Sequence, residues 1–124
     1  MLQFSTTTGI LESTDGGIFA CGYAGFGAGK LNPALEHVHD VGPIPRGRYK
    51  IQYIDTNGAA YEGKKAPVFR LLPLPGTNTF GRAGFLIHGD SVPAPGTASH
   101  GCVIVAHNVR EAIRTRGYTE LEVI

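Results

Sequence analysis

Only one window of this sequence, residues 108–117, carries strong helix signals, and that scarcity sets the fold class. Asn108 is a good N-cap with Glu111 three residues on, Gly117 closes the C-terminus, and Arg114 and Arg116 suit the helix dipole there. Elsewhere 18 glycines, about twice ordinary usage, and 8 prolines cut the chain into short β-like runs. ILESTDGGIFACGY reads as two strands joined at Asp15-Gly16-Gly17. GRYKIQYID alternates Tyr49, Ile51 and Tyr53 against Arg48, Lys50 and Gln52, the period of a half-buried strand. APVFRLLPL, GFLIHG, the VIVA that follows Cys102, and the terminal TELEVI supply further strands. Residues 24–47 are rich in glycine and proline and lack periodicity, and long ordered loops of that kind usually carry binding or catalytic groups. The expectation is a mainly β domain over residues 1–124, a β-sandwich or curved sheet with one C-terminal helix.

At 124 residues the chain suits one hydrophobic core and is too short for two. A net charge of +1 with no basic stripe gives nucleic-acid binding no electrostatic support. No apolar run approaches membrane-spanning length, so no membrane insertion is expected. MLQFSTTTG lacks the charged and apolar regions of a secretory signal, which leaves three readings open: a protein that stays inside, one that leaves by another route, or a trimmed piece of a longer chain. Two cysteines, Cys21 and Cys102, make no disulfide framework, and a single bridge between them stays open.

The chemistry concentrates in SHGCVI, residues 99–104. A cysteine nucleophile needs a base, a group to orient that base, and donors for the oxyanion. His88, fourteen residues before Cys102, ends the apolar run Phe85-Leu86-Ile87 and precedes Gly89. The intervening DSVPAPGTAS can turn the chain back and set His88 beside Cys102 on a neighbouring strand. Gly101 permits unusual dihedrals, so the amides of His100, Gly101 and Cys102 are suited to a concave anion site. The unobstructed carbonyl of Gly89 is placed to hold the imidazole N–H.

Blander readings compete. A free cysteine is most often a small buried hydrophobe, and Cys21 inside IFACGY fits that description. Cys102 fits it less well, because Ser99, His100 and Gly101 precede it. His88, Asp90, His100 and Cys102 are four potential metal ligands, but their spacing matches no structural zinc pattern. The histidines of HVHD, residues 37–40, read as solvent-facing. Neither a metal nor a cofactor is expected.

FLIHGD followed by SHGC resembles the signature of L,D-transpeptidases of the YkuD type, in which a histidine precedes a Ser/Thr-His-Gly-Cys block. GYAGFGAGKLNPA, VGPIPRGRY and GRAGFLIHGDS…SHGCVIV…VREAI look like the branch of type VI secretion L,D-transpeptidase effectors, in order over residues 22–113. The resemblance implies Cys102 as nucleophile, His88 as general base and Gly89 as the residue orienting the imidazole. It also implies His100, Gly101 and Cys102 as oxyanion-hole amides, with Ser99 shaping that turn. Ser99, Asp90, Arg82, Tyr23, Asn32 and His107 are candidates for substrate contact, with Lys30 beside them. The implied fold is a β-sandwich-like catalytic domain. The implied substrate is the peptidoglycan stem tetrapeptide, cleaved between diaminopimelate and D-alanine, or exchanged there for another D-amino acid.

Three positions depart from that pattern. The His-to-Ser gap is shorter than in housekeeping transpeptidases, so the lid over the cleft should be smaller. Ile104 stands where the wider family often has Arg or Asn, which removes a polar substrate contact. His107 stands where the effector branch suggests a positive charge, making carboxylate recognition there pH-dependent. Alternatives are a housekeeping cross-linking enzyme and a silent module that binds peptidoglycan or a partner. An effector would act in the periplasm of a competing bacterium, and an immunity protein blocking its cleft is expected.

Overall fold

A computed structural model describes residues 1–124. The strands are β1 (Leu2–Phe4), β2 (Ile10–Ser13), β3 (Phe19–Cys21), β4 (Gly47–Ile54), β5 (Val68–Pro73), β6 (Leu86–His88), β7 (Val103–Ile104) and β8 (Glu120–Val123), with helix α1 (His107–Arg116) between the last two. They form one sheet in the order β3-β2-β1-β8-β4-β5-β6-β7. Pairing is antiparallel except β1 with β8 and β6 with β7. The sheet curls until its edges touch. Just beyond β3, Tyr23 bridges Ile104 of β7, with amide-to-carbonyl distances of 3.1 and 2.8 Å. The curved-sheet form of the expected mainly β fold is the one present.

Side-chain alternation decides what the curl encloses. Tyr49 and Ile51 of β4 point inward beside Phe69, Leu71, Phe85, Ile87, Val103 and Val105. Leu2, Phe4, Leu121 and Val123 complete the core from the central strands. Because Phe85, Ile87, Val103 and Val105 face the core, Leu86, His88, Cys102 and Ile104 take the opposite face. That alternation places the chemistry on the outside of the curl.

The hairpin at Asp15-Gly16-Gly17 and the strands read from the sequence are present, while β1 answers to no expectation. Two details differ. Cys21 is exposed, not buried, because Ala20 takes the inward position of β3 and leaves Phe19 and Cys21 outside. Helix α1 begins one residue before Asn108, with Ala106 as its N-cap and no side-chain cap. The cause is tertiary: the amide of Val105 still donates to the His88 carbonyl, so the strand ladder runs to the helix and fixes where it starts. At the other end Gly117 sits at φ 71° and its amide closes on the carbonyls of Ile113 and Arg114, as expected.

Candidate active site

His88 ends β6, flanked by β5 and β7, and is 3% exposed. Its Nδ1 lies 2.8 Å from the Gly89 carbonyl. A carbonyl only accepts, so Nδ1 carries the proton and Nε2 keeps a lone pair. Burial pushes the imidazole below its ordinary range; the Gly89 carbonyl opposes this and the charges of Lys64 and Arg110 reinforce it. The ring is therefore neutral at pH 7 and ready to take a proton.

Cys102 directly precedes β7. The register Ile87↔Val103 and His88↔Ile104 sets it across from Leu86, and the Leu86 amide donates to Sγ at 3.4 Å. Cys102 and His88 are thus diagonal neighbours on one face, about 8 Å apart at the backbone. No hydrogen bond joins them in this structure. Burial pushes the thiol up, against the Leu86 amide and the charges of Lys64 and Arg82, so the resting sulfur is protonated. The two groups open to different spaces. Cys102 lines a cleft of about 190 Å³ with His39, Asp40, Arg82 and His100, and His88 lines one of about 640 Å³ with Lys64, Asp90, His107 and Arg110.

The turn before the nucleophile is held by Ser99, which is fully buried. Its hydroxyl accepts from the amides of Gly25 and Gly101 and donates to the Cys102 carbonyl at 2.6 Å. That commits the Gly101 amide, which the sequence reading assigned to an oxyanion, and removes Ser99 from substrate contact. The amide of His100 has no protein acceptor, and that of Cys102 reaches only its own sulfur. Gly101 has φ 143°, and a Cβ there would lie 2.7 Å from Arg82 Nη2 and 3.0 Å from the Phe85 ring. Only glycine fits.

The other expected substrate contacts divide. Arg82 is 6% exposed, not a surface charge. Its terminal nitrogens donate to the carbonyls of Glu36, Pro43, Gly42 and His100, so it clamps the 36–43 loop to the cysteine turn and has no terminal N–H left for a ligand. Asn32 is likewise a loop residue, accepting from Ala34 and donating to Ala28. Tyr23 donates to Asp90 at 2.6 Å and accepts from the Ala98 amide, and burial with that carboxylate pushes its hydroxyl up to about 12. Asp90 also accepts from the amides of Ser91 and Gly96. Burial works to raise its carboxyl, and those hydrogen bonds win and hold it below the usual range. This pair braces the 90–98 loop. His107 opens the helix at the rim, exposed, 3.9 Å from Glu111.

His100 stacks on Phe26 with centroids 5.0 Å apart and places Nδ1 3.0 Å from the Asp40 carbonyl. His39 lies against the Phe80 carbonyl and His37 against the Phe80 ring. No three of the His, Cys, Asp and Glu side chains gather closely enough to hold a metal ion. Both thiols are free. Sequence reasoning missed the Leu86 amide on the sulfur, Lys64 and Arg110. The first depends on strand register and Lys64 on a distant hairpin, while Arg110 stands inside the VREAI block, where nothing local shows that its guanidinium turns back toward Gly89.

No curated protein and no solved structure matches the chain. A model of the Tlde1 domain matches residues 19–122, which takes in every strand of the site and the helix beside it. The chain belongs to the Tlde1 domain family, a family of type VI secretion effector domains.

Proposed function

We propose that this protein is a cysteine acyl-transfer enzyme acting on peptidoglycan stem tetrapeptides. The observation that carries the reading is a neutral, buried His88, its Nδ1–H held by Gly89, on the same sheet face as the Cys102 thiol. A turn of the Cys102 side chain away from the Leu86 amide brings the sulfur toward Nε2.

In the first step Nε2 takes the thiol proton and the sulfur attacks the carbonyl joining diaminopimelate to D-alanine. The tetrahedral oxyanion falls to the amides of His100 and Cys102, a contribution that is commonly the largest in acyl transfer. His88 then returns its proton to the departing amine, the C–N bond breaks, and a thioester remains on Cys102. Water ends the cycle as L,D-carboxypeptidase action, and a free D-amino acid ends it as exchange. In either case His88 accepts a proton from the incoming nucleophile and the sulfur leaves.

Family membership supports an effector; the periplasm of a competing bacterium as its place of action, and an immunity protein as the partner of the cleft, are part of the proposal. The test is incubation with purified tetrapeptide muropeptides, with and without D-methionine, read by mass spectrometry beside Cys102→Ala. Loss of D-alanine, or its replacement by D-methionine, is expected only with Cys102 intact. Unchanged muropeptides in both mixtures would overturn the enzyme reading and leave a binding module.

A further inference from the structure

Arg110 and Arg82 are the two buried arginines, and only Arg110 keeps a terminal nitrogen without a protein partner. It sits in α1, 3% exposed, with no carboxylate paired to it. Nε donates to the Pro67 carbonyl at 2.9 Å and Nη1 to the Val105 carbonyl at 2.6 Å. Nη2 has no protein partner. No side-chain nitrogen or oxygen in the molecule is both sealed and unpartnered, so Nη2 keeps an opening. The space beside it is the cleft of about 640 Å³ that Arg110 shares with His88 and Lys64.

Lys64 lines the same cleft, on the hairpin closed by the Tyr61–Lys64 bridge. Its ammonium has only a 3.5 Å contact to the Glu62 carbonyl, and its charge acts on both His88 and Cys102. The first turn of α1 opens into the same cleft at Ala106 and His107, with no acidic residue in that turn and free amides at its start. Of the two carboxylates lining the cleft, Asp90 is consumed by Tyr23, Ser91 and Gly96, and Glu62 stands exposed on the hairpin. Asp90 keeps its charge, but Lys64, Lys65 and Arg110 outnumber the two carboxylates, so the cleft beside the base carries a net positive charge suited to a small anion.

Acyl transfer says which anion. His88 must protonate the amine that leaves, and must deprotonate the amine that enters. An α-amino acid carries its carboxylate one carbon from that amine, so the carboxylate lies on the His88 side of the thiol in both directions. We propose that Arg110 Nη2 and Lys64 bind the α-carboxylate of the departing or incoming D-amino acid, making this cleft the amino-acid subsite. The proposal rests on the acyl-transfer reading for its ligand. It replaces, from the helix and the hairpin, the polar contact that Ile104 cannot make.

The test reads binding directly, so it does not depend on turnover. Cys102→Ala protein is titrated with N-acetyl-D-alanine and with N-acetyl-D-alaninamide, followed by amide chemical shifts in two-dimensional NMR. The acid is expected to shift Gly89 and His107 saturably, and the amide to bind at least about tenfold more weakly, the scale of one charge-assisted hydrogen bond. Lys64→Gln, on the exposed hairpin, and Arg110→Lys, which keeps the charge but loses the fork, should each narrow the acid–amide contrast. Absence of saturable acid binding, equal binding of acid and amide, or an unchanged contrast in Lys64→Gln would overturn the subsite. The muropeptide assay fails or succeeds separately: a protein that binds the acid yet trims nothing keeps the subsite and loses the enzyme.

Discussion

A side chain at position 89 would put its Cβ 2.7 Å from Arg110 Nη1 and 3.0 Å from Nη2. A residue larger than glycine after the base would therefore displace the Arg110 guanidinium packed on it, although the backbone there is unstrained. Gly89→Ala should cost about 1–3 kcal/mol as overpacking and turn the carbonyl that fixes His88. Thermal unfolding and D-alanine release measure the two effects, and a normal rate in a destabilised protein would show that the carbonyl does not orient the base. The titration of the pair gives a second expectation. Burial raises Cys102 and lowers His88, so the resting state is thiol and neutral imidazole with no ion pair. Iodoacetamide alkylation of Cys102, measured in a Cys21→Ser background because Cys21 is exposed, should climb steadily with pH through the ordinary thiol range. A rate that is flat from acid to neutral pH would reveal a preformed thiolate–imidazolium pair. The acid limb of kcat/KM should fall below the usual imidazole range, since a lowered His88 stays neutral as pH drops.

Helix α1 joins the strand system without a side-chain cap, at Ala106 with φ −63° and ψ 160°, the extended conformation an N-cap residue adopts. Ala106→Ser should therefore stabilise the protein by about 1 kcal/mol, read as a rise in Tm. Ala106→Asp should stabilise comparably while weakening N-acetyl-D-alanine binding, because it adds a negative charge to the cleft. Equal ligand binding by the two variants would detach the helix start from the amino-acid subsite. The displaced cap also shows what local pattern can reveal. Asn108 has the chemistry of an N-cap, and nothing near it in sequence reports the Val105–His88 ladder bond that starts the helix earlier. The hairpin, β4 and the positions of His88 and Cys102 at strand ends were legible, because alternation and glycine punctuation are local. β1 was not, being three residues long and stabilised by β2 and by the distant β8. The turn-shaping role of Ser99 was legible from the resemblance, whereas Arg82 was recognisable as a site residue but not as scaffolding, since its partners lie at residues 36–43.

Closure of the sheet ties these elements to the site, and it turns on Gly22. The Tyr23–Ile104 bridge joins the first edge strand to the strand that follows the nucleophile, and the same tyrosine holds Asp90 and the Ala98 amide across the opening. At Gly22 the edges come so close that a Cβ would lie 2.1 Å from the Ile104 carbonyl oxygen and 2.8 Å from a Val105 methyl. The nearer obstacle is backbone, and the other is the stiff branched side chain of buried Val105, so no flexible end is there to give way. Gly22→Ala should cost about 3 kcal/mol, the upper end of ordinary overpacking, and open the curl at this seam. Tyr23→Phe separates closure from bracing: it keeps the backbone bridge and removes only the hydroxyl that ties down the 90–98 loop. Hydrogen exchange resolves the two. Gly22→Ala should lose protection at Tyr23 and Ile104 together, and with it the placement of Cys102 and D-alanine release. Tyr23→Phe should keep those amides protected and lose protection at Gly96 and Ala98. Full protection at Ile104 in Gly22→Ala would mean that β6 and the helix hold β7 unaided, and that the seam contributes nothing to the position of the thiol.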